Sequence, residues 1–353
     1  MTARSRLGSM LDLLAQASVI AGFSRVGLTV RARLLPEFSA APPPAAGRVV
    51  LITGATSGIG HAAAVALASQ GATVHFLARD RGRAERAKRQ IIAASGSPFV
   101  SYGLADLEDL RSVRAFASEF RTACPRLDIL IHNAGTIHPS YRTDEAGIEL
   151  TYAGQVVAPF LLTAMLMPRL AAADAARVIT VSSGGMYTRR LDLAALPPGP
   201  AGFHGVTAYA RVKRAQVVLS AEWARRMAGS GVTFHAMHPG WADTPGIAAA
   251  LPRFRRVMRP LLRTPEQGAD TITWLATAEP ELLGSGGFWH DRRRRPEHLL
   301  PWTREDASAR DLLWDRCARA AMITPVVPFG FESDTGGHGG LAGERPFVPA
   351  LGG

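Results

Sequence analysis

The stretch RVVLITGATSGIG, residues 48–60, decides the fold of this chain. Its first half is mostly apolar and β-branched, which is typical of a strand buried on both faces of a sheet. A glycine-rich turn then leads into an alanine-rich helical pattern that ends near Gln70. This order predicts a dinucleotide-binding unit, in which the glycines allow a tight turn and the helix N-terminus presents N–H groups to phosphates.

The alternation of strands and helices continues along the chain. Strands are predicted at 48–53, 72–78, 98–102, 127–131, 177–181, 232–237 and 286–290. Further helices are predicted at 81–95, 108–123, 144–172, 207–229 and 265–278. We therefore predict an α/β fold in a single domain over residues 47–322. This fold is a Rossmann-type doubly wound parallel sheet of about seven strands, with helices on both faces.

The two ends of the chain differ from this domain. Residues 1–46 are predicted to form an N-terminal amphipathic helical extension that ends in a proline-rich linker at Pro42, Pro43 and Pro44. Its apolar positions are Leu7, Met10, Leu11, Leu14, Ile20 and Phe23. This helix either packs on the domain or lies on a membrane, and we favour packing. Residues 323–353 are rich in glycine and proline, and we expect them to be disordered.

The composition limits the class of protein. The net charge of +11 is almost wholly arginine, because Lys88 and Lys213 are the only lysines. We expect most arginines to be solvated, with attraction to phosphates or anionic lipid as the alternative, and we expect no nucleic-acid partner. No uninterrupted apolar run reaches about 18–20 residues, and the N-terminus lacks a secretory pattern. Cys124 and Cys317 lack metal or disulfide spacing, so we expect a cytoplasmic protein, soluble or peripheral at a membrane.

Cofactor contacts are predicted at the glycine turn and after the next strands. The turn supplies Gly54, Thr56, Ser57, Gly58, Ile59 and Gly60. An arginine at the end of the second strand favours the 2′-phosphate of NADP, whereas an acidic residue favours NAD. Arg79 takes that place and Asp80 follows it, so we predict NADP(H) in preference to NAD. Asp106, which precedes Leu107, is placed to meet the adenine edge, to cap the next helix, or to do both.

The reaction centre is predicted at Tyr209 and Lys213, which lie four residues apart on one face of a helix. A free tyrosine has a pKa of about 10, and a nearby ammonium lowers it toward the range of an acid/base catalyst. No other tyrosine in the chain has a lysine at this spacing. Ser183 follows a strand end, where its hydroxyl can bind a substrate carbonyl or make a turn.

At this point the chain resembles the short-chain dehydrogenase/reductases. The family motifs appear in the family's order over roughly residues 47–290. They are the glycine turn, Asn133-Ala134-Gly135, Ser183, the run from Tyr209 to Lys213, and His238-Pro239-Gly240 with Thr244. The chain is most similar to the retinol-dehydrogenase-like branch, because of His238, the run from Trp241 to Gly246 and the N-terminal extension.

The resemblance implies a role for each of these residues. Tyr209 transfers the proton, Ser183 orients the carbonyl, and Lys213 holds the nicotinamide ribose while lowering the tyrosine pKa. Asn133, Ala134 and Gly135 line the cofactor floor, while Pro239, Gly240 and Thr244 contact the nicotinamide carboxamide. The implied activity is an NADP(H)-dependent interconversion of a carbonyl and an alcohol on a lipophilic substrate.

One position departs from the family pattern. Gln155 stands where the family usually has an asparagine that supports a proton-relay water near the lysine. The relay is then either displaced or broken. A broken relay would favour the alternative function, a nucleotide-binding sensor or scaffold with little turnover. A homo-oligomer and a peripheral membrane contact through the N-terminal helix also remain open.

Apolar residues near the motifs are candidates for the substrate wall or for plain core. They are Met186, Tyr187, 197–200, Phe203, Trp241 and 245–263. An arginine cluster lies partly within the last of these segments and partly after it. We expect its members to be solvated or to form salt bridges, with contact to an anionic or membrane-borne substrate as the alternative; they are Arg253, Arg255, Arg256, Arg259, Arg263 and 292–295.

Overall fold

The computed structural model describes residues 22–38 and 43–323, and it shows one mostly parallel sheet. The strands are β1 (Val49–Thr53), β2 (Thr73–Ala78), β3 (Val100–Leu104), β4 (Ile129–His132), β5 (Arg177–Val181), β6 (Thr233–Met237), β7 (Gly287–His290) and β8 (Arg293–Arg295). Their order is β3-β2-β1-β4-β5-β6-β7-β8, and only the β7–β8 pair of this sheet is antiparallel. The predicted α/β fold is confirmed, with one strand more than the seven expected, because the three arginines of β8 carry no apolar signal.

Helices cover both faces of the sheet. They are α1 (Arg25–Leu34), α2 (Gly58–Ser69), α3 (Arg81–Ser95), α4 (Leu110–Ala123), α5 (Leu150–Leu170), α6 (Gly205–Arg226), α7 (Pro245–Ala250), α8 (Pro252–Met258), α9 (Pro265–Thr277), α10 (Pro280–Leu283) and α11 (Ala307–Ala320). One core cluster holds the buried residues of α4, α5, α6 and α11, and a second holds those of α2, α3 and α9. The sheet therefore has a hydrophobic layer on each face, as a parallel sheet requires.

Local capping explains why some boundaries agree with the sequence. The carboxylate of Asp80 accepts a hydrogen bond from the Arg83 N–H at 2.7 Å at the start of α3, and Gly96 ends that helix with φ of +71°. Helix α9 begins with Pro265 behind a capping box between Thr264 and Gln267.

Helix α5 is shorter than the predicted 144–172 and contains a π-helical turn at Ala153–Val157. It is the one helix of the described residues that is long and apolar enough to cross a membrane. It passes this test on mean hydropathy although polar residues such as Gln155 and Thr163 interrupt it, so the prediction that no uninterrupted apolar run is long enough is not contradicted. However, 83% of its apolar window is buried inside the protein. It lies between β4 and β5 in the chain and packs on α4, so it serves as a core helix.

Helix α11 was not predicted, although its pattern was visible. Leu313, Trp314, Cys317 and Ala318 recur on one helical face and are fully buried. The Trp314 ring lies 4.8 Å from Phe160 of α5, so α11 closes that side of the core.

Residues 22–38, which we call the N-terminal arm, pack on the domain. The guanidinium of Arg31 in α1 donates to the carboxylate of Asp291 at 2.6 Å, and both side chains are 1% exposed. Arg263 donates to the other oxygen of the same carboxylate at 2.6 Å. This buried cluster joins the arm to the end of β7. The predicted apolar stripe before Phe23 and the predicted tail from 324 onward lie outside the described residues.

Candidate active site

A cleft of about 730 Å³ opens at the carboxyl ends of the parallel strands. Every predicted site residue except Gly60 lines it. Parallel strands end at the same edge of a sheet, so residues far apart in the chain meet there. This is the place where open α/β sheets bind their ligands.

Gly60 has a packing role behind the cleft. A Cβ on Gly60 would clash with the Asn133 amide and with the Gly54 carbonyl. The Asn133 side chain donates to the carbonyls of Thr53 and Gly54 at 3.0 and 3.1 Å. Asn133 therefore holds the glycine turn against the end of β4, in addition to lining the cleft.

The start of α2 has the features of a phosphate site. Gly58 has φ of +61°, and its Cα faces Thr244, which would lie 3.2 Å from a Cβ there. Within the described structure, the Ser57 side chain does not cap α2, although Ser57 is the N-cap residue. The first N–H groups of the helix thus remain available to an anion, and Ser57, Gly58 and Ile59 line the cleft.

The far end of the cleft is basic. Arg79 and Arg83 are exposed residues that line it. Asp80 also lines it, but its carboxylate already accepts the Arg83 N–H as the cap of α3. Arg83 was missed by the sequence analysis, although it lies four residues after Arg79 in the first turn of a predicted helix.

Asp106 lines the cleft without capping the next helix. Its carboxylate accepts the Glu108 N–H at 3.0 Å, and the cap of α4 is Asp109, which accepts the Arg111 N–H at 2.9 Å. The capping interpretation of Asp106 is therefore wrong, because α4 begins at Leu110 rather than at 108.

Tyr209, Ser183 and Lys213 meet in the middle of the cleft. The ammonium of Lys213 lies 5.2 Å from the centroid of the Tyr209 ring. Burial raises the pKa of Tyr209 to about 12, and its hydrogen bond with Ser183 opposes this shift. Burial also lowers the pKa of Lys213 to about 7. The shift of the Tyr209 pKa in this structure comes from burial of the phenol and from Ser183, and the lowering of that pKa by Lys213 stays a prediction.

The backbone around Lys213 is also fixed. Ser183 caps the short 3₁₀ helix at Gly184–Thr188 by accepting the Gly185 N–H at 3.2 Å, and it also lines the cleft. Ser182 donates its hydroxyl to the Lys213 carbonyl at 2.8 Å. The end of β5 therefore holds the backbone of α6 at Lys213.

The chain is similar to proteins that are already known. The family described as short chain dehydrogenase matches residues 48–252. This chain belongs to the short-chain dehydrogenase/reductase (SDR) family. The predicted family is therefore confirmed, and alcohol–carbonyl oxidoreduction is its general activity.

Individual relatives agree with the predicted branch. Dehydrogenase/reductase SDR family member 12 of Bos taurus is 40% identical over 267 residues, 74% of this chain and 82% of that protein. Retinol dehydrogenase 14 of Mus musculus is 36% identical over 288 residues, 76% of this chain and 84% of that protein. A solved structure titled as a putative NAD(P)-dependent gluconate 5-dehydrogenase of Beutenbergia cavernae, with bound NADP, is 27% identical. It has a TM-score of 0.59 and covers 71% of this chain and 97% of its own.

Together these features make the SDR cleft a nicotinamide-cofactor site. The open helix start, the positive-φ glycine and the basic far end fit phosphates, and Tyr209 and Lys213 line the same cleft. The residues present therefore fit the cofactor that the family implies.

The substrate side of the SDR cleft is partly as predicted. Trp241, 245–247 and Phe254 line it. Phe203 packs on Tyr141 instead, with ring centroids 5.8 Å apart. Met186 and Tyr187 belong to a small core cluster, and the Tyr187 hydroxyl donates to the Pro296 carbonyl at 2.7 Å. The side chains of Phe203, Met186 and Tyr187 therefore pack against other residues and do not line the cleft.

The N-terminal arm supports this side from behind. Phe23 is 4% exposed, and its ring lies 4.2 Å from His238, edge to face. A Cβ on Gly184 would lie 2.6 Å from the Phe23 ring, so the arm also touches the residue after Ser183. The Phe23 carbonyl accepts the Trp241 N–H at 2.9 Å. No sequence signal connected Phe23 to the motif around Pro239.

Other cleft residues were missed. His138 and Glu108 form a hydrogen-bonded pair at 3.0 Å, which lowers the pKa of Glu108, and Arg142 lies on the same side. These residues sit in loops where no spacing marks them.

The predicted arginine cluster has several environments. Arg255 pairs with Asp243 and Arg292 with Asp270, both at 2.6 Å. Arg263 is buried against Asp291 and is not solvated. The carboxylate of Asp291 is buried between two guanidinium groups and His290, and these charges hold its pKa far below its ordinary value despite burial.

Proposed function

We propose that this protein is an NADP(H)-dependent oxidoreductase that interconverts a carbonyl and an alcohol on a small lipophilic substrate. The observation that carries the proposal is the meeting of Tyr209, Ser183 and Lys213 in one cleft with an open helix N-terminus. NADPH, when bound, would supply the hydride.

The preference for NADPH is supported by the basic end of the cleft. A 2′-phosphate carries charge that the exposed guanidinium groups of Arg79 and Arg83 can bind. The nearby carboxylate of Asp80 is engaged by the backbone of α3, so it is less available to the ribose hydroxyl of NAD.

Residues of the chain would transfer the proton between the protein and the substrate oxygen. In the reduction, Tyr209 gives its O–H proton to the carbonyl oxygen, while the Ser183 hydroxyl donates a hydrogen bond to the same oxygen. The phenolate that remains is the species that the Lys213 ammonium stabilises. In the oxidation, the phenolate takes the proton back from the alcohol.

The lipophilic substrate is supported by the walls around this centre. Trp241, Ile247 and Phe254 line the same cleft as Tyr209. An apolar wall with a few convergent polar groups is typical of a small-molecule site.

In the test, purified protein and NADPH are incubated with one carbonyl at a time: all-trans-retinal, a 3-ketosteroid or decanal. The loss of NADPH is followed in each reaction. We expect turnover of at least one carbonyl, faster with NADPH than with NADH. We expect Tyr209→Phe to lower kcat by about 10²-fold or more while leaving NADPH binding intact. If calorimetry shows tight NADPH binding but no carbonyl is turned over, the alternative function is favoured, a nucleotide-binding sensor or scaffold with little turnover.

A further inference from the structure

Three potential metal ligands meet in the loop between β8 and α11. Glu297 and His298 lie near the start of this loop, and Glu305 lies at its end, directly before the N-cap residue of α11. One ligand atom of each residue lies within 4.8 Å of those of the other two. None of these three residues lines the SDR cleft. The cluster is therefore separate from the cofactor and substrate sites.

The carboxylate of Glu305 is buried with one oxygen unused. Its side chain is 2% exposed, and Oε1 accepts a hydrogen bond from the Arg310 guanidinium at 3.0 Å. The other oxygen, Oε2, has no hydrogen-bond partner among the described residues. This oxygen faces the cluster, since it lies 3.5 Å from His298 Nε2. A buried carboxylate oxygen of this kind needs a donor or a cation to offset the loss of its hydration.

The hydroxyl of Thr303 determines which ring nitrogen of His298 carries a hydrogen. The Thr303 hydroxyl donates its single hydrogen to the Leu300 carbonyl at 2.7 Å. It can therefore only accept from His298 Nδ1, which lies 3.0 Å away, so Nδ1 carries the hydrogen. In the neutral ring Nε2 then has a free lone pair. A histidine that binds a metal is usually oriented by such a hydrogen bond from its other nitrogen.

Two acceptor atoms consequently face each other in the cluster. His298 Nε2 and Glu305 Oε2 are 3.5 Å apart, so a proton between them would make a poor hydrogen bond. Zinc binds imidazole nitrogen and carboxylate oxygen at about 2.0–2.2 Å with tetrahedral geometry, which places two ligand atoms about 3.4 Å from each other. The observed separation is thus the one that a shared zinc ion requires. Glu297 offers the third ligand, and the fourth position is open to water.

We propose that Glu297, His298 and Glu305 bind a divalent transition-metal ion, and that zinc is the ion that fits best. One imidazole and two carboxylates suit zinc, whereas calcium and magnesium prefer a shell made only of oxygen atoms. The hydrogen bond from Arg310 to the second oxygen of Glu305 leaves this carboxylate free to bind through Oε2 alone. The site does not depend on the proposed function.

The ion would close the loop between β8 and α11. It would join Glu297 and His298 to Glu305, which lies seven residues after His298. The start of the loop is already attached to the domain, because the Arg214 guanidinium of α6 donates to the Glu297 carbonyl at 2.8 Å. Zinc would thereby fix the N-terminus of α11 relative to α6, and its role is to stabilise the fold.

Arg214 also defines a competing arrangement. Its nitrogen Nη2 is buried and has no hydrogen-bond partner among the residues that the structure describes. A water between this nitrogen and Glu305 Oε2 would satisfy both atoms without a metal. The two arrangements are distinguishable, because only the metal site requires the lone pair of His298 Nε2.

The experiment is a calorimetric titration of the full-length, metal-free protein with ZnCl2, together with thermal unfolding at each zinc concentration. We expect one zinc ion to bind per chain and to raise the melting temperature of the parent. His298→Asn should remove both effects, because asparagine keeps a donor toward Thr303 but has no atom in place of Nε2. His138→Asn is the matched control and should change neither effect, since His138 also faces a glutamate, Glu108, at 3.0 Å.

Two further variants keep the test informative if His298→Asn does not fold. Glu297→Gln changes a partly exposed ligand and should weaken zinc binding at least tenfold. Thr303→Val retains all three ligands and removes only the acceptor of His298 Nδ1. It should weaken zinc binding by about 10- to 100-fold, which is the usual effect of losing a hydrogen bond that orients a ligand.

A titration with CaCl2 tests the choice of metal. Calcium should bind much more weakly than zinc, because it does not favour an imidazole ligand. Calcium binding as tight as that of zinc would overturn the assignment. So would the absence of saturable zinc binding in the parent, which would favour the water between Arg214 and Glu305. Equal losses of zinc affinity in His298→Asn and His138→Asn would also contradict the site.

Discussion

Replacing Lys213 by methionine should change how the stability of the cofactor-free protein depends on pH. The Lys213 side chain is almost fully buried, and burial lowers its pKa to about 7 from the ordinary value of 10.5. Between these two values the unfolded chain holds a proton that the folded protein has lost. The free energy of unfolding of the parent therefore rises with pH between about 7 and 10.5. Below this range the buried ammonium destabilises the folded protein by the full amount, and above it the neutral amine does not.

The size of this effect follows from the two pKa values. One pKa unit corresponds to about 1.4 kcal/mol, so the penalty relaxes by about 2–3 kcal/mol between about pH 7.5 and about pH 9.5. Lys213→Met has no ionisation at this site. Its stability relative to the parent should therefore fall by the same amount as the pH is raised across that interval.

The assay is urea unfolding of the parent and of Lys213→Met without cofactor at both pH values. The difference between the two proteins removes the contribution of the other titrating groups. Lys88→Met is the matched control, because Lys88 is the only other lysine and lies half-buried on α3. A difference between parent and Lys213→Met that stays constant with pH would refute the argument.

Three further perturbations follow from the same contacts. Arg79→Ala should raise KM for NADPH by about 10- to 100-fold with little change for NADH, measured by initial rates, and equal losses for both cofactors would contradict the 2′-phosphate assignment. Asp291→Asn should destabilise the protein by about 3–5 kcal/mol in urea unfolding, because it leaves two buried guanidinium groups without their carboxylate. An unchanged midpoint would show that these charges are not buried in solution. Phe23→Ala should cost about 3–5 kcal/mol of stability and lower kcat, since the ring packs on His238 and on the residue after Ser183. Parental stability and kcat in this variant would show that the arm does not support the cleft.

Several features of this protein follow from local sequence, because their causes lie within a few residues. The glycine turn after β1 needs particular backbone angles that glycine supplies. Helix α3 begins and ends where predicted because Asp80 and Gly96 cap it directly. Tyr209 and Lys213 share a helix face because they lie one turn apart. Such interactions are readable before any tertiary contact forms.

Other features depend on which segments fold against one another. The sequence did not distinguish Arg31 and Arg263 from solvated arginines, because their burial depends on Asp291, 260 and 28 residues away in the chain. The sequence analysis considered Asp106 as the cap of the next helix, and only the structure placed that cap at Asp109, because α4 begins at Leu110. Strand β8 is stabilised by pairing with β7 and has no apolar pattern of its own.

The candidate active site also combines features that follow from local sequence with features that depend on tertiary packing. The sequence by itself determined the family, the cofactor turn and the pair of Tyr209 with Lys213, since these are short motifs whose chemistry resides in the residues themselves. Only the tertiary structure decided that Gln216 reaches across to Gln155 and that Phe23 lies behind His238. Hydrogen bonding and burial act through space, so their partners are set by the packing of α5, α6 and the N-terminal arm around the sheet.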